Sequence, residues 1–109
     1  MHVFTRRHLV EASEGNAELA KDLESWYRIA KSAQWHDFLE VRQSFPCADS
    51  VDDYVIFNIR GNRYRLVTIV HYSRNAEEGR TAEGRVFVRA VLTHKEYDDP
   101  KNWDKGVPR

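Results

Sequence analysis

From Ala17 onward the apolar residues Leu19, Leu23, Trp26, Tyr27 and Ala30 recur at steps of one, three and four, which gathers them on one face of a helix. Asn16 is a residue type that caps a first turn, and Gly15 breaks whatever precedes it. The pattern therefore predicts an amphipathic helix from 17 to about Ser32. A shorter helix is expected before it, capped by Thr5 and ending near Ser13, after a β-leaning opening over residues 1–5 that suits an edge strand. A third helix is expected over 35–44, turning Trp35, Phe38 and Leu39 inward together with Phe45, until Pro46 stops it. Residues 46–53 (PCADSVDD) read as a polar connection.

At Tyr54 the period changes. Residues 54–60 (YVIFNIR) and 63–72 (RYRLVTIVHY) are rich in β-branched and aromatic side chains, and Gly61-Asn62 between them is a two-residue hairpin signal. Counting outward from that turn sets Arg60 against Arg63, Ile59 against Tyr64, Asn58 against Arg65, Phe57 against Leu66 and Ile56 against Val67. One face then carries Val55, Phe57, Ile59, Tyr64, Leu66, Thr68 and Val70, which is core. The other carries Asn58, Arg60, Arg63 and Arg65 near the turn and Tyr54, Ile56, Val67 and Ile69 farther away. Residues 73–84 read as a flexible hairpin tip. Residues 85–92 read as a third strand, with Val86, Val88, Ala90 and Leu92 on one face and Arg85, Phe87, Arg89 and Val91 on the other. From Asp99 the tail reads as irregular. Helices first and strands second predict an α+β fold, the N-terminal helices packed on one side of a small antiparallel sheet.

At 109 residues and 12.8 kDa the chain is expected to form a single domain over 1–109. One cysteine, Cys47, excludes an internal disulfide framework and suits a reducing compartment. No apolar run approaches the ~20 residues that cross a bilayer, and the polar opening lacks the apolar stretch of a signal peptide. The expectation is a cytoplasmic protein with no membrane partner.

Zero net charge conceals a segregation. Residues 1–53 hold 6 basic and 10 acidic side chains, whereas 54–94 hold 7 arginines (60, 63, 65, 74, 80, 85 and 89) against 3 glutamates. Arginine's planar fork suits bidentate phosphate contacts, so the basic stretch points to a local polyanion site, or else to a solvated sheet face.

Directly after the third strand, Thr93 and Glu96 have the spacing of a capping box, which opens a short helical turn. His94 falls in its first turn and Tyr97 three residues on, along the same side. Such a terminus offers N–H groups and positive potential to a phosphate, or it is simply a capped surface turn. Arginines near the hairpin end, Arg89 on the neighbouring strand and the His94/Tyr97 pair together could converge on one phosphodiester. RNA carries its own nucleophile in the 2′-OH. Cleaving it needs a base, cations for the charge developing at phosphorus and an acid for the leaving oxygen, which these residue types supply.

The run FNIRGNRYRLVTIVHY (57–72), then VFVRAVLTHKEYD (86–98), the opening MHVFTRR and SFPCAD at 44–49 resemble the HigB family of toxins in type II toxin–antitoxin systems. The departure is the 73–84 loop, longer and more acidic than that family's turn. The resemblance implies a RelE-like fold and an endoribonuclease that cuts mRNA on translating ribosomes. It implies neutralisation by a HigA-type helix-turn-helix antitoxin, with operator DNA reached only through the antitoxin complex. The positions that match the family are Asn58, Gly61, Asn62, Arg65 and the Thr93–Asp98 run. From the chemistry of the side chains, Arg65 and Arg89 are expected to act on the scissile phosphate, His94 as acid or base, and Tyr97 as proton donor or base-stacking platform. Arg60, Arg63 and Lys95 would hold flanking phosphates, and Asn58 and Asn62 would contact RNA.

Asn58 reads equally as a buried, bonded polar residue. Trp26, Tyr27, Trp35 and Phe38 read as core. His2, His8, His36 and His71 lack metal-ligand spacing, so neither metal nor cofactor is expected. Cys47 has no base partner in the pattern. Two other functions fit the same residues: a non-catalytic RNA- or ribosome-binding module, and an antitoxin-bound co-repressor.

Overall fold

The computed structural model describes residues 1–61, 63–75 and 81–103. Its helices form where the apolar pattern and the caps agree. Asn16 accepts a hydrogen bond from the Leu19 N–H at 3.1 Å and starts α2 (Ala17–Ser32), which buries Leu19, Leu23, Trp26 and Ala30. The preceding α1 (Arg6–Ala12) begins differently from expectation. Thr5 has φ 66°, and its side chain makes no capping bond. The left-handed residue turns the chain sharply out of strand β1 (His2–Phe4) into the helix.

Helix α3 (Phe38–Ser44) starts three residues later than the apolar pattern suggests, because Asp37 caps it by accepting from the Glu40 N–H at 2.9 Å. Trp35 stays outside the helix yet is buried, donating its indole N–H to Ser44 Oγ at 3.2 Å. Leu39, expected inward, is 68% exposed. With the helix begun at Phe38, its inward stripe runs through Phe38 and Val41, and Leu39 is rotated a quarter-turn away.

The main sheet has the order β1, β7 (Arg85–Thr93), β4 (Tyr64–His71), β3 (Tyr54–Ile59), β2 (Asp49–Val51). The hairpin of β3 and β4 has the expected register, Ile59 to Tyr64 through Ile56 to Val67. Two features depart from the sequence reading. Residues 46–53, read as a connection, contain the edge strand β2, antiparallel to β3. The sheet is mixed: β1 runs parallel to β7, with Val3 opposite Val86. The α+β layering itself stands. Beyond the main sheet, β5 (Arg74–Asn75) and β6 (Thr81–Ala82) pair as a small ribbon, and residues 76–80 of the expected flexible tip lie outside the described residues.

A bulge decides which side chains of β7 face which way. Val67 pairs with Ala90 but Thr68 pairs with Val88, so Arg89 is the extra residue. Alternation inverts across it. Val86 and Val88 pack toward the helices, but Ala90 and Leu92 turn to the opposite face with Phe87, and Val91 turns to the helices. Strict alternation had placed these three residues on the wrong sides.

On the helix side the core centres on Phe57. Trp26 and Phe45 meet it edge-on at 5.3 and 5.1 Å, and Trp35 stacks on it at 6.1 Å. The distal face holds a smaller cluster of Tyr54, Ile56, Val67 and Ile69 beneath Trp103. Residues 104–109 of the tail, expected to be irregular, lie outside the described residues. Helix α4 (His94–Tyr97) is followed by a 3₁₀ turn over Pro100–Asn102, which folds Trp103 back over Tyr54 at 5.1 Å.

Candidate active site

The candidate site lies where the hairpin end, the end of β7 and α4 meet on the distal face. Arg65 is the cross-strand partner of Asn58 on one side and of Leu92 on the other. All three belong to the face away from the helices. Two residues beyond Leu92, the His94 N–H donates to the Arg63 carbonyl at 3.0 Å, which docks α4 against the turn of the hairpin. The chain is thereby made to lay Tyr97 over Arg65, the guanidinium carbon standing 5.8 Å from the ring centroid.

Trp103 fixes Tyr97 from behind. The two rings stack at 5.1 Å and 12°, and the indole N–H donates to the Tyr97 carbonyl at 2.9 Å. Burial pushes the Tyr97 phenol above its ordinary pKa. The Asp49 and Asp98 carboxylates push the same way, while the Arg65 guanidinium opposes them. The phenol is therefore protonated at neutral pH, a donor and not a base.

A groove of about 390 Å³ runs beside this pair, lined by Asn58, Arg65 and Tyr97 on one side and Arg42, Cys47 and Asp49 on the other. Asn58 is exposed in it, so the alternative of a buried, bonded asparagine does not hold. Arg42 donates through Nε and Nη2 to the Pro46 carbonyl at 3.3 and 3.0 Å, which holds its charge at the rim.

His94 is 51% exposed, with Nδ1 3.5 Å from Asp98 Oδ1. The Thr93–Glu96 capping box forms as expected: Thr93 Oγ1 accepts from the Glu96 N–H at 3.1 Å, and Glu96 Oε1 accepts from the Thr93 N–H at 2.9 Å. That box, with the His94 N–H already given to Arg63, occupies three of the N–H groups that the sequence reading had offered to a phosphate, and makes the terminus a structural joint.

The other expected contacts divide. Arg63 is exposed in the turn and Lys95 is exposed on α4, both at this end of the molecule. Arg89 sits in the bulge, three residues along β7 from Leu92, the cross-strand partner of Arg65. Asn62 lies outside the described residues. The Arg63 N–H donates to the Arg60 carbonyl at 3.3 Å, but the Arg60 side chain turns away from Arg63. The last ladder pair is Ile59–Tyr64, and Arg60, at φ 54°, reaches helix α2 and pairs with Glu18 at 2.8 Å and Asp22 at 3.3 Å.

Sequence reasoning missed Arg42, Asp49 and Trp103. Arg42 and Asp49 belong to the acidic half of the chain: Asp49 reaches the groove because β2 pairs along β3, and Arg42 comes to it from α3. Trp103 did carry a signal, being a large aromatic isolated in a polar tail.

Comparison with known proteins agrees with this arrangement. The family model described as HigB toxin, RelE-like toxic component of a toxin-antitoxin system, matches residues 19–100. An mRNA interferase toxin HigB of Escherichia coli (strain K12) is 26% identical over 101 residues, which span 90% of this chain and 88% of that protein. An mRNA interferase HigB of Shigella flexneri matches to the same extent, 26% over 101 residues.

Proposed function

The chain belongs to the HigB family of RelE-like toxins, and from that premise we propose that it is a cytoplasmic endoribonuclease that cleaves mRNA on translating ribosomes. A HigA-type helix-turn-helix antitoxin holds it silent, and it meets operator DNA only through that antitoxin.

The reaction is a transesterification within the RNA. The 2′-oxygen attacks the adjacent phosphorus and gives up its proton, the P–O5′ bond breaks, and the products are a 2′,3′-cyclic phosphate and a 5′-hydroxyl. Arg65 neutralises the charge that grows on the non-bridging oxygens. Tyr97, protonated and set over that guanidinium, delivers a proton to the leaving 5′-oxygen. Asp98 beside Nδ1 of His94 favours the tautomer protonated there, which leaves Nε2 to take the 2′-OH proton. Arg63 and Lys95 hold flanking phosphates, and Asn58 contacts the strand in the groove. Because the nucleophile belongs to the RNA and the countercharge to arginine, the reaction as written uses neither metal nor cofactor.

The observation that carries this reading is the seating of the Tyr97 ring 5.8 Å above the Arg65 guanidinium beside an open groove. Induced expression tests it: growth should stop, and primer extension should show new mRNA 5′ ends inside coding regions. Arg65→Ala and His94→Ala should each relieve the arrest while the protein stays folded. Arrest that persists in both, or arrest without new ends, contradicts the assignment.

A further inference from the structure

The distal face carries a second aromatic surface at the end away from Tyr97. Parallel pairing sets His2 of β1 opposite Arg85 and Phe4 opposite Phe87. Phe4 is 42% exposed and stacks on Phe87 at 5.0 Å and 14°. His2 continues the stack at 6.1 Å and 25°, and His71 meets Phe87 edge-on at 5.4 Å. Arg85, the partner of both His2 and His71, is exposed, as is Arg74 nearby. Glu83 pairs with His2 at 3.0 Å and with the Met1 amine at 3.9 Å. Among the described residues neither Arg74 nor Arg85 has a carboxylate partner within ion-pair distance.

Phe87 packs against the distal cluster, but Phe4, on the edge strand, belongs to neither core cluster. A nearly parallel aromatic pair left open on a sheet, bordered by arginines, is the combination that receives a nucleobase on the ring and a phosphate on the guanidinium. An apolar protein segment would gain from Phe4 but would have to desolvate the arginines. The shelf also shares a face with the candidate site. Ile69, the partner of Phe87, lies four residues along β4 from Arg65, which is about 13 Å at ~3.3 Å per residue. A stacked strand rising ~3.4 Å per nucleotide crosses that gap in about four nucleotides, and Arg89 in its bulge stands between the two places.

We propose that Phe4, Phe87 and Arg85 form a second RNA-binding platform, which holds a base of the same mRNA strand about four nucleotides from the linkage cut at Arg65. The proposal rests on the Arg65 groove being the cleavage site. It gives the toxin a grip on the flank of its substrate that the chemistry itself does not need.

The test compares fluorescein-labelled RNAs of 6 and 16 nucleotides, the short one centred on the mapped cut and the long one extending it on both sides. Both are 2′-O-methylated so that neither is cleaved. Fluorescence anisotropy with the full-length, antitoxin-free protein should show the longer RNA bound at least about fivefold more tightly, as one added stacking contact predicts. Phe4→Leu, which keeps the bulk and removes the ring, and Arg85→Ala, at an exposed position, should each abolish that gain while binding the short RNA as the wild type does. Equal affinity for the two lengths, or a gain that survives both substitutions, overturns the platform. The groove reading fails separately. Were Arg65→Ala to leave short-RNA binding unchanged while the length gain still depended on Phe4, the groove assignment would fall and the platform would stand.

Discussion

Arg65 and Arg60 lie five positions apart on one hairpin and have opposite fates, because a single backbone angle separates them. Arg65 keeps extended geometry and points to the distal face. Arg60, at φ 54°, turns to α2 and is neutralised by Glu18 and Asp22. Replacing Arg65 by Ala should lower the cleavage rate about a hundredfold or more, the usual loss when one charge-stabilising donor is removed, with little change in stability. Arg60→Ala should leave the chemistry alone but unfold the protein more easily by about 1 kcal/mol in urea, since the strained angle remains when its ion pairs are gone. Arg60→Gly, which tolerates that angle, should lie closer to the wild type. Tyr97 gives a pH prediction. Its phenol pKa is raised on folding, so the folded chain holds that proton more tightly than the unfolded chain does. That contribution to stability is present below pH 10 and is lost as the pH climbs past it. An alkaline limb in the rate profile above pH 10 should vanish in Tyr97→Phe, together with most of the activity. Arg65, His94 and Tyr97 could be singled out as candidates from residue type and motif. The turning away of Arg60 could not, because left-handed backbone at a non-glycine residue leaves no mark in a pattern of polar and apolar positions.

Among the elements, the hairpin was legible because its alternation and its Gly-Asn turn agree, and α2 because its period and its Asn16 cap agree. The misses share one physical origin: long-range pairing overrode local preference. Three polar-flanked residues, 49–51, become a strand only because β3 offers an edge, and β1 runs parallel because the helices return the chain to the far side of β7. The bulge at Arg89 reverses the faces of Ala90, Val91 and Leu92, a one-residue slip that alternation cannot foresee. Of the tail, residues 99–103 are described, and they fold Trp103 back onto the sheet. Trp103 is 8% exposed and clamps Tyr97, so Trp103→Ala should cost about 3 kcal/mol in denaturant unfolding and should lower activity by loosening α4. Loss of stability with full activity would show that Tyr97 does not need that clamp. Gly84 is a second structural constraint. A side-chain carbon there would lie 2.8 Å from both the His71 carbonyl and the Ser73 N–H, so Gly84→Ala should unfold at a clearly lower temperature, whereas Cys47→Ala, at an exposed position, should not.

Across the whole molecule, zero net charge is the sum of a helix layer rich in acid and a hairpin rich in arginine, and the fold lets them meet only in part. Arg60 is drawn to the helix layer through Glu18 and Asp22, while Arg6 pairs with Glu24 within it. Arg63 and Arg85 remain exposed on the hairpin side, so RNA binding should weaken steeply as salt rises despite the neutral total. All of this serves one geometric claim, that a guanidinium from the hairpin and a phenol from the turn after β7 act together on a single RNA linkage. The most direct measurement is single-turnover cleavage of mRNA on purified ribosome complexes, with thermal unfolding of each variant recorded in parallel. The account predicts that Arg65→Ala and Tyr97→Phe each cut at least about a hundredfold more slowly than the wild type, with unfolding midpoints close to its own. Both variants cutting within about twofold of the wild-type rate, a difference too small for a lost transition-state contact, would contradict it.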